Sequence, residues 1–242
     1  MKILILLFTT IGLLTPGFAI EPVSPPSLTK NFRVIETTKA LYPLRMLEEG
    51  VQHGMAKAVL HINSKGELAD VLVVMYSRKP FADEAERVIR KWKFESAYVN
   101  GEPIDTILEV SLNFEVNGIM IVQVLGAFAP SHTEFEPDYE YQACTLKKLD
   151  GIPTPIRVVT PTYPREWAEQ GIVGNVVVDF YIDETGKTRF VAPASGANPM
   201  LAGIAVAAVT QWQFAPPTRK GKPVLVHAQQ IFEFRKVGEP GK

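Results

Sequence analysis

Asn175-Val176-Val177-Val178-Asp179-Phe180-Tyr181-Ile182 runs straight into Asp183-Glu184-Thr185-Gly186. Val176, Val178, Phe180 and Ile182 fall on one face and Asn175, Val177, Asp179 and Tyr181 on the other, the period of two expected of a strand buried on one side. The next four residues read as a tight turn in which Gly186 is free to take a positive φ. Lys187 to Ala194 is then predicted to be the return arm of a hairpin. Leu201, Ile204, Ala205, Ala208, Val209 and Trp212 recur at helical spacing and form one apolar stripe. Pro216-Pro217 ends that helix within a turn. Beyond Gly221-Lys222-Pro223, the alternation of Val224, Val226, Ala228, Phe232 and Phe234 predicts a last strand.

The same text stands earlier in the chain. Tyr42-Pro43, Gly50, Gly54, Gly66, Trp92, Phe94, Gly101, Pro103 and Phe114 are answered by Tyr163-Pro164, Gly171, Gly174, Gly186, Trp212, Phe214, Gly221, Pro223 and Phe234. The offset is 121 up to the first glycine and 120 from the second onward, so the first copy has gained one residue. Its strand faces read Ala56, Ala58, Leu60, Ile62 and Ile104, Leu108, Val110, Leu112, Phe114; its helix reads Phe81, Ala85, Val88, Trp92. Internal repetition at this length means two copies of one small domain. The expected fold is therefore α+β: two tandem domains, each a three-stranded antiparallel sheet covered by one long helix, with a short leading helix near Tyr-Pro. The boundaries follow as 34–126 and 151–237, with linkers at 20–33 and 127–150.

Residues 1–19 read as an export signal, with Lys2 as the positive end, Ile3 to Leu14 as the apolar stretch and Gly17-Phe18-Ala19 as the cleavage site, cut after Ala19. An uncleaved signal anchor is the alternative; the apolar run is shorter than the roughly 20 residues a spanning helix needs. Cleavage leaves 24 basic and 26 acidic residues, a balance that calls for neither nucleic acid nor an anionic membrane. Residues 34–116 carry 10 basic and 13 acidic residues and residues 151–242 carry 10 and 7, a difference that would favour docking of one copy on the other. Cys144 is the single cysteine, which rules out an internal disulfide. It reads as a partly buried inert thiol, with an intermolecular bridge as the alternative.

The ordered set Tyr163-Pro164, Gly171, Gly174, the strand into Asp183–Gly186, Trp212-Gln213-Phe214-Ala215-Pro216 and Gly221-Lys222-Pro223-Val224 resembles the TonB C-terminal domain family. The resemblance covers 152–235 closely and 35–116 more loosely, together about two thirds of the chain. It implies a periplasmic module that engages envelope proteins, outer-membrane receptors among them, through an extended peptide pairing with the last strand near the Tyr-Pro motif. The implied partner-binding residues are Thr160, Pro161, Thr162, Tyr163 and Pro164, with Leu225, His227, Gln229 and Ile231 on the strand Val224 to Phe234. Main-chain hydrogen bonds would supply affinity and alternate side chains selectivity. A homodimer through the same edge is the competing occupant, and an envelope scaffold with no transport role the competing function. The chain departs from energy transducers in its tether: Ile20 to Arg33 holds 14 residues, which reach about 45 Å at about 3.1 Å each. That leaves the binding role and puts direct energy transduction in question.

The copies diverge after their last strands. Asn117-Gly118 lies between two apolar runs, a strong hairpin signal. Ile119 to Leu125 is therefore expected to fold back on the first copy's last strand and occupy its edge; a connector buried between the domains is the alternative. The second copy carries no such sequence-local cover, and open edges invite another strand. The run Glu134-Phe135-Glu136-Pro137-Asp138-Tyr139-Glu140-Tyr141 reads as a solvated tether, or else as a segment lying on the basic second domain.

No pattern calls for catalysis, a metal or a cofactor. His53, His61, His132 and His227 lack metal spacing, and His61 and His227 fall on the more polar strand faces as ordinary surface histidines. There is no His-Glu-x-x-His, no cysteine pair and no Gly-rich phosphate loop. Gly171-Ile172-Val173-Gly174 reads as a helix stop before a strand, Asp179, Asp183 and Glu184 as a strand-turn carboxylate group, and Trp92 and Trp212 as core anchors.

Overall fold

The computed structural model describes residues 28–116, 120–127, 139–194 and 196–235. The export signal, most of the first linker, the Asn117-Gly118 turn with Ile119, and the acidic-aromatic run as far as Asp138 lie outside the described residues.

The first domain runs α1 (Leu44–Glu48), β1 (His53–Ile62), β2 (Leu68–Tyr76), α2 (Lys79–Ile89) and β3 (Thr106–Glu115), followed by β4 (Met120–Ala127). Ala56, Ala58, Leu60 and Ile62 are fully buried with Phe81, Ala85, Val88 and Ile89 of α2, because strand period two and helix period 3.6 each deliver one apolar face to the same layer. Gly54 is required here by space, since a Cβ would fall inside the ring of Phe81. The outer face of α2 is charged and laced with ion pairs, Arg87 to Glu84 and Arg90 to Glu86, each at 2.6 Å.

The second domain repeats the plan after two short strands, β5 (Tyr141–Gln142) and β6 (Cys144–Thr145): α3 (Arg165–Glu169), β7 (Gly174–Ile182), β8 (Thr188–Pro193), α4 (Pro199–Val209) and β9 (Val226–Phe234). Asn198 caps α4, its side chain accepting from the Met200 and Leu201 amides, with Pro199 preset for the first turn. Val176, Val178, Phe180 and Ile182 pack with Leu201, Ala205 and Val209. Gly186 takes φ +88° under the Phe214 carbonyl, and its own carbonyl accepts from the Phe214 amide at 2.8 Å. Gly66 sits the same way under Phe94, so the matching turn glycines lock each hairpin to the segment after its helix.

The first sheet carries the fold-back strand expected after Phe114, and each sheet gains one short strand that the sequence did not announce. The first has the order β5-β2-β1-β3-β4 and the second β6-β9-β7-β8. Each keeps the expected antiparallel core of three, and the added strands come from the segments between the two repeats. β1 and β3 pair from His53↔Glu115 to Ile62↔Thr106, and β7 and β9 from Gly174↔Phe234 to Ile182↔Val226, both without a register break.

The faces turned away from the helices meet each other. Val59 and Val74 of the first sheet form one buried cluster with Tyr181, Phe190 and Leu225 of the second, with Leu72, Ile107, Tyr141 and Ala192 packed around it. The layers therefore run α2, sheet, sheet, α4. Phe190 holds φ +51°, an uncommon conformation for a bulky side chain, at a bulge where β8 slips against β7. The bulge sends Phe190 into the seam and Val191 toward α4. At the rim, the Arg189 guanidinium grips the Asp70 carboxylate in a two-pronged bond, Nε to Oδ2 at 3.1 Å and Nη2 to Oδ1 at 2.5 Å.

Residues 139–149 are a strap and not a solvated tether. Tyr141 stacks on Tyr76 with ring centroids 5.0 Å apart, and the Lys79 amide donates to Glu140. The Ala143 amide donates to Val74 of the first domain at 2.7 Å, and the Cys144 amide to Leu225 of the second at 2.8 Å. Cys144 itself is buried in the second core, out of reach of an intermolecular partner.

Candidate partner-binding edge

β9 is the last strand of the second domain, and its main chain looks in two directions. Strand geometry points the N–H and C=O of one residue to one side and those of the next to the other. The Leu225 carbonyl accepts from Cys144 on the strap, so Leu225, His227, Gln229, Ile231 and Glu233 face the outer edge. Val226, Ala228, Gln230, Phe232 and Phe234 face β7. The strap uses the beginning of that edge only: Cys144 lies beside Val226 and Thr145 beside His227, in parallel. Among the described residues, no strand pairs with the edge from Gln229 to Glu233. The Ile231 carbonyl accepts from the side chain of the adjacent Gln230, at 2.8 Å.

The Tyr-Pro segment lies against the end of this strand. Tyr163 and Phe234 have ring centroids 5.2 Å apart, and Phe232 bridges Phe234 and Trp212 at 6.4 and 5.9 Å. The Trp212 indole donates to the Val159 carbonyl at 2.8 Å and so holds Val159 to Pro164 alongside. Tyr163 donates to the Ile172 carbonyl at 2.8 Å, as Tyr42 does to Val51 at 2.6 Å in the first domain. The tyrosine hydroxyl therefore ties the leading helix to its stop. Pro164 is the N-cap residue of α3, and Thr160 and Thr162 are exposed. Ile231 is 58% exposed, a large apolar side chain in water next to open main chain.

Leu225 and His227 are placed differently from the sequence expectation. Both side chains are buried in the seam between the sheets, because the first domain covers the opening stretch of β9 on that face. His227 is therefore no surface histidine: Nε2 lies 3.2 Å from Asp179, and its ring is 5.2 Å from Tyr181. Gln229 reaches the same Asp179, donating at 2.7 Å. On the first domain's side of the seam Lys57 and Glu109, on the neighbouring strands β1 and β3, pair at 3.5 Å, both buried. Burial raises Glu109 above the ordinary carboxylate range, with Lys57 and then His227 pulling it back. Burial likewise raises Tyr181, reinforced by Glu109 and Asp179. Sequence reasoning missed this polar cluster because its members sit on strand faces that look solvent-facing until a second sheet covers them. His61, at a rim left open, does behave as a surface histidine and pairs with Asp105 at 3.0 Å.

In the first domain the corresponding edge is covered. β4 pairs antiparallel with β3 from Phe114↔Met120 to Leu108↔Ala127. A cavity of about 350 Å³ lined by Leu47, Gly50, Val51, Gln52, His53, Glu115 and Val116 opens at the end of that pairing. Among the described residues no group of three or more His, Cys, Asp or Glu is placed to hold a metal ion, and no helix is long and apolar enough to cross a membrane.

The sequence model of the Gram-negative bacterial TonB protein C-terminal family matches twice, at residues 38–116 and 159–235. The chain belongs to that family. TonB C-terminal domains are periplasmic protein-interaction modules of Gram-negative bacteria, and the two matched segments are the two repeats. The solution structure of the Pseudomonas aeruginosa TonB C-terminal domain is similar at 28% identity with a TM-score of 0.33, covering 40% of this chain and 97% of that one. No curated protein matches the chain. The two TonB C-terminal domains here keep the family scaffold and differ in what lies against their last strands.

Proposed function

We propose that the chain is a periplasmic, non-catalytic interaction protein that takes an extended segment of an envelope partner, an outer-membrane receptor among the candidates, along the last strand of its second domain. The observation that carries this reading is the run from Gln229 to Glu233, whose outward main-chain groups meet no strand among the described residues, beside the row Trp212, Phe232, Phe234 and Tyr163. An added strand would gain main-chain hydrogen bonds, and its alternate side chains would lie on the aromatic row. Thr160, Pro161, Thr162, Tyr163 and Pro164 form the wall of that site, and Gln229 and Ile231 its floor. Leu225 and His227 serve from beneath by holding β9 against the first domain.

The test is a pull-down of the whole chain on immobilised peptides copying the extended periplasm-facing segments of outer-membrane receptors. Binding that Gln229→Pro abolishes while the fold survives supports the reading. A scaffold role is the rival, favoured by the sheet-on-sheet seam between the domains. Absence of peptide binding together with a stable dimer through Val224 to Phe234 would establish that rival instead.

A further inference from the structure

The two last strands are covered by different pieces of chain, and the covers tile. In the first domain β4 lies along Leu108 to Phe114, which a shift of 120 carries onto Ala228 to Phe234. In the second domain the strap pairs with Val226 and His227 and then leaves through the short 3₁₀ turn Leu146–Lys148. The strap thus stops where the counterpart of β4 would begin.

We propose that the strap Glu140–Thr145 acts as an end stop on β9. It limits an incoming strand to the window Ala228 to Phe234, the counterpart of the stretch that β4 covers on β3. This deepens the strand-addition reading and rests on it. The partner is an extended segment of about seven residues with apolar side chains opposite Phe232 and Phe234. Side chains on one face of a sheet touch across neighbouring strands, so apolar residues there would extend the row that Phe232 and Phe234 begin. The Met120-Ile121-Val122-Gln123-Val124-Leu125-Gly126-Ala127 strand is the chain's own example of such a segment.

The strap can hold its place because it is fastened on both sides. Tyr141 is stacked on Tyr76, its hydroxyl lies 3.4 Å from Glu184 of the second domain, and Ala143 and Cys144 are bonded to opposite sheets. An incoming strand would have to break those bonds to reach His227, whereas among the described residues the window beyond asks for displacement of the Gln230 side chain from the Ile231 carbonyl.

The experiment follows amide hydrogen exchange residue by residue in the whole chain, with and without a peptide copying residues 120–127 flanked by lysines for solubility. Without peptide, the amides of Gln229, Ile231 and Glu233 should exchange fast, and those of His227, Gln230 and Phe232 slowly. With peptide, Gln229, Ile231 and Glu233 should slow at least tenfold and His227 should not change. In Ala143→Pro, or in Tyr141→Ala should the first variant fail to fold, peptide protection should extend to His227. The proposal is overturned if the peptide fails to bind or binds without slowing the three window amides. It is also overturned if His227 exchanges as fast as Ile231 in the free chain, or if the window slows with protein concentration alone, which would give it to a second copy. Window protection by this peptide with no binding of receptor peptides would sink the functional reading and leave the end stop standing.

Discussion

β3 and β9 are the same strand of the same scaffold, and they end in opposite situations. Both pair with the first long strand of their domain over nine or more residues without a slip, and both bury alternate residues under a helix that is followed by Trp-x-Phe. The outer edge of β3 is then covered by β4, whereas among the described residues the outer edge of β9 pairs with two residues of strap. An edge costs little to leave open in water, since its main-chain groups are solvated, but it stays available to any strand that fits. Among the described residues, the duplicated module thus has one copy whose last strand is covered along its outer edge and one whose last strand is covered only at its start. The helices differ in the same sense. The outer side of α2 carries paired charges, while α4 has no charged residue at all.

The contrast is most severely tested at the seam that joins the copies. Lys57→Met leaves Glu109 buried without its cation and should cost about 3–5 kcal/mol in a urea titration at neutral pH. The sign of its pH dependence follows from the raised Glu109 value. A raised carboxyl favours the fold when protonated, so its contribution is full below the ordinary glutamate value and is lost as pH rises through the folded one. Without Lys57 that value moves higher still, and the deficit of Lys57→Met should therefore shrink on acidification toward about pH 5. An equal deficit at both pH values would show that the loss does not come from the charge of Glu109.

Next in size is a proline on the paired side of β9. Gln230→Pro removes a ladder bond to β7 and should cost about 2–4 kcal/mol, read from the thermal midpoint. On the covered edge, Ile121→Pro should cost about 1–2 kcal/mol, because it loosens only the outermost strand. It should also make the amides of Ser111 and Asn113 exchange faster, opening in the first domain what is open in the second. The smallest stability effect belongs to Gln229→Pro, about 1 kcal/mol, since its N–H faces outward and only its side-chain bond to Asp179 is lost; the larger loss is expected in partner binding. If Gln229→Pro proved as damaging as Gln230→Pro, the assignment of outward and inward faces along β9 would be wrong.

Much of the scaffold was legible from residue order. The strand at Gly174–Ile182, the turn at Gly186 and the helix behind Pro199 were each written in a local period or a turn residue, and the repeat doubled every signal. The candidate site was less legible. Gln229 and Ile231 lie where period two put them, on the face away from the helix. Leu225 and His227, on that same face, are buried because another sheet arrives there. No local pattern marks Tyr141 or Cys144 as strand residues: each makes a pair of two residues whose stability comes from the sheet already present. Arg189 and Asp70 stand 119 residues apart with nothing in either neighbourhood to announce the other.

The order of residues alone determined two copies of an α+β module of the TonB C-terminal family, because hydrophobic period, turn glycines and Trp-x-Phe endings act within a few residues of each other. Which faces became a seam, and which stretch of β9 stayed open, was decided only in three dimensions. Those outcomes depend on the second surface that reaches a strand, and a strand's own sequence records its alternation without recording what comes to lie against it.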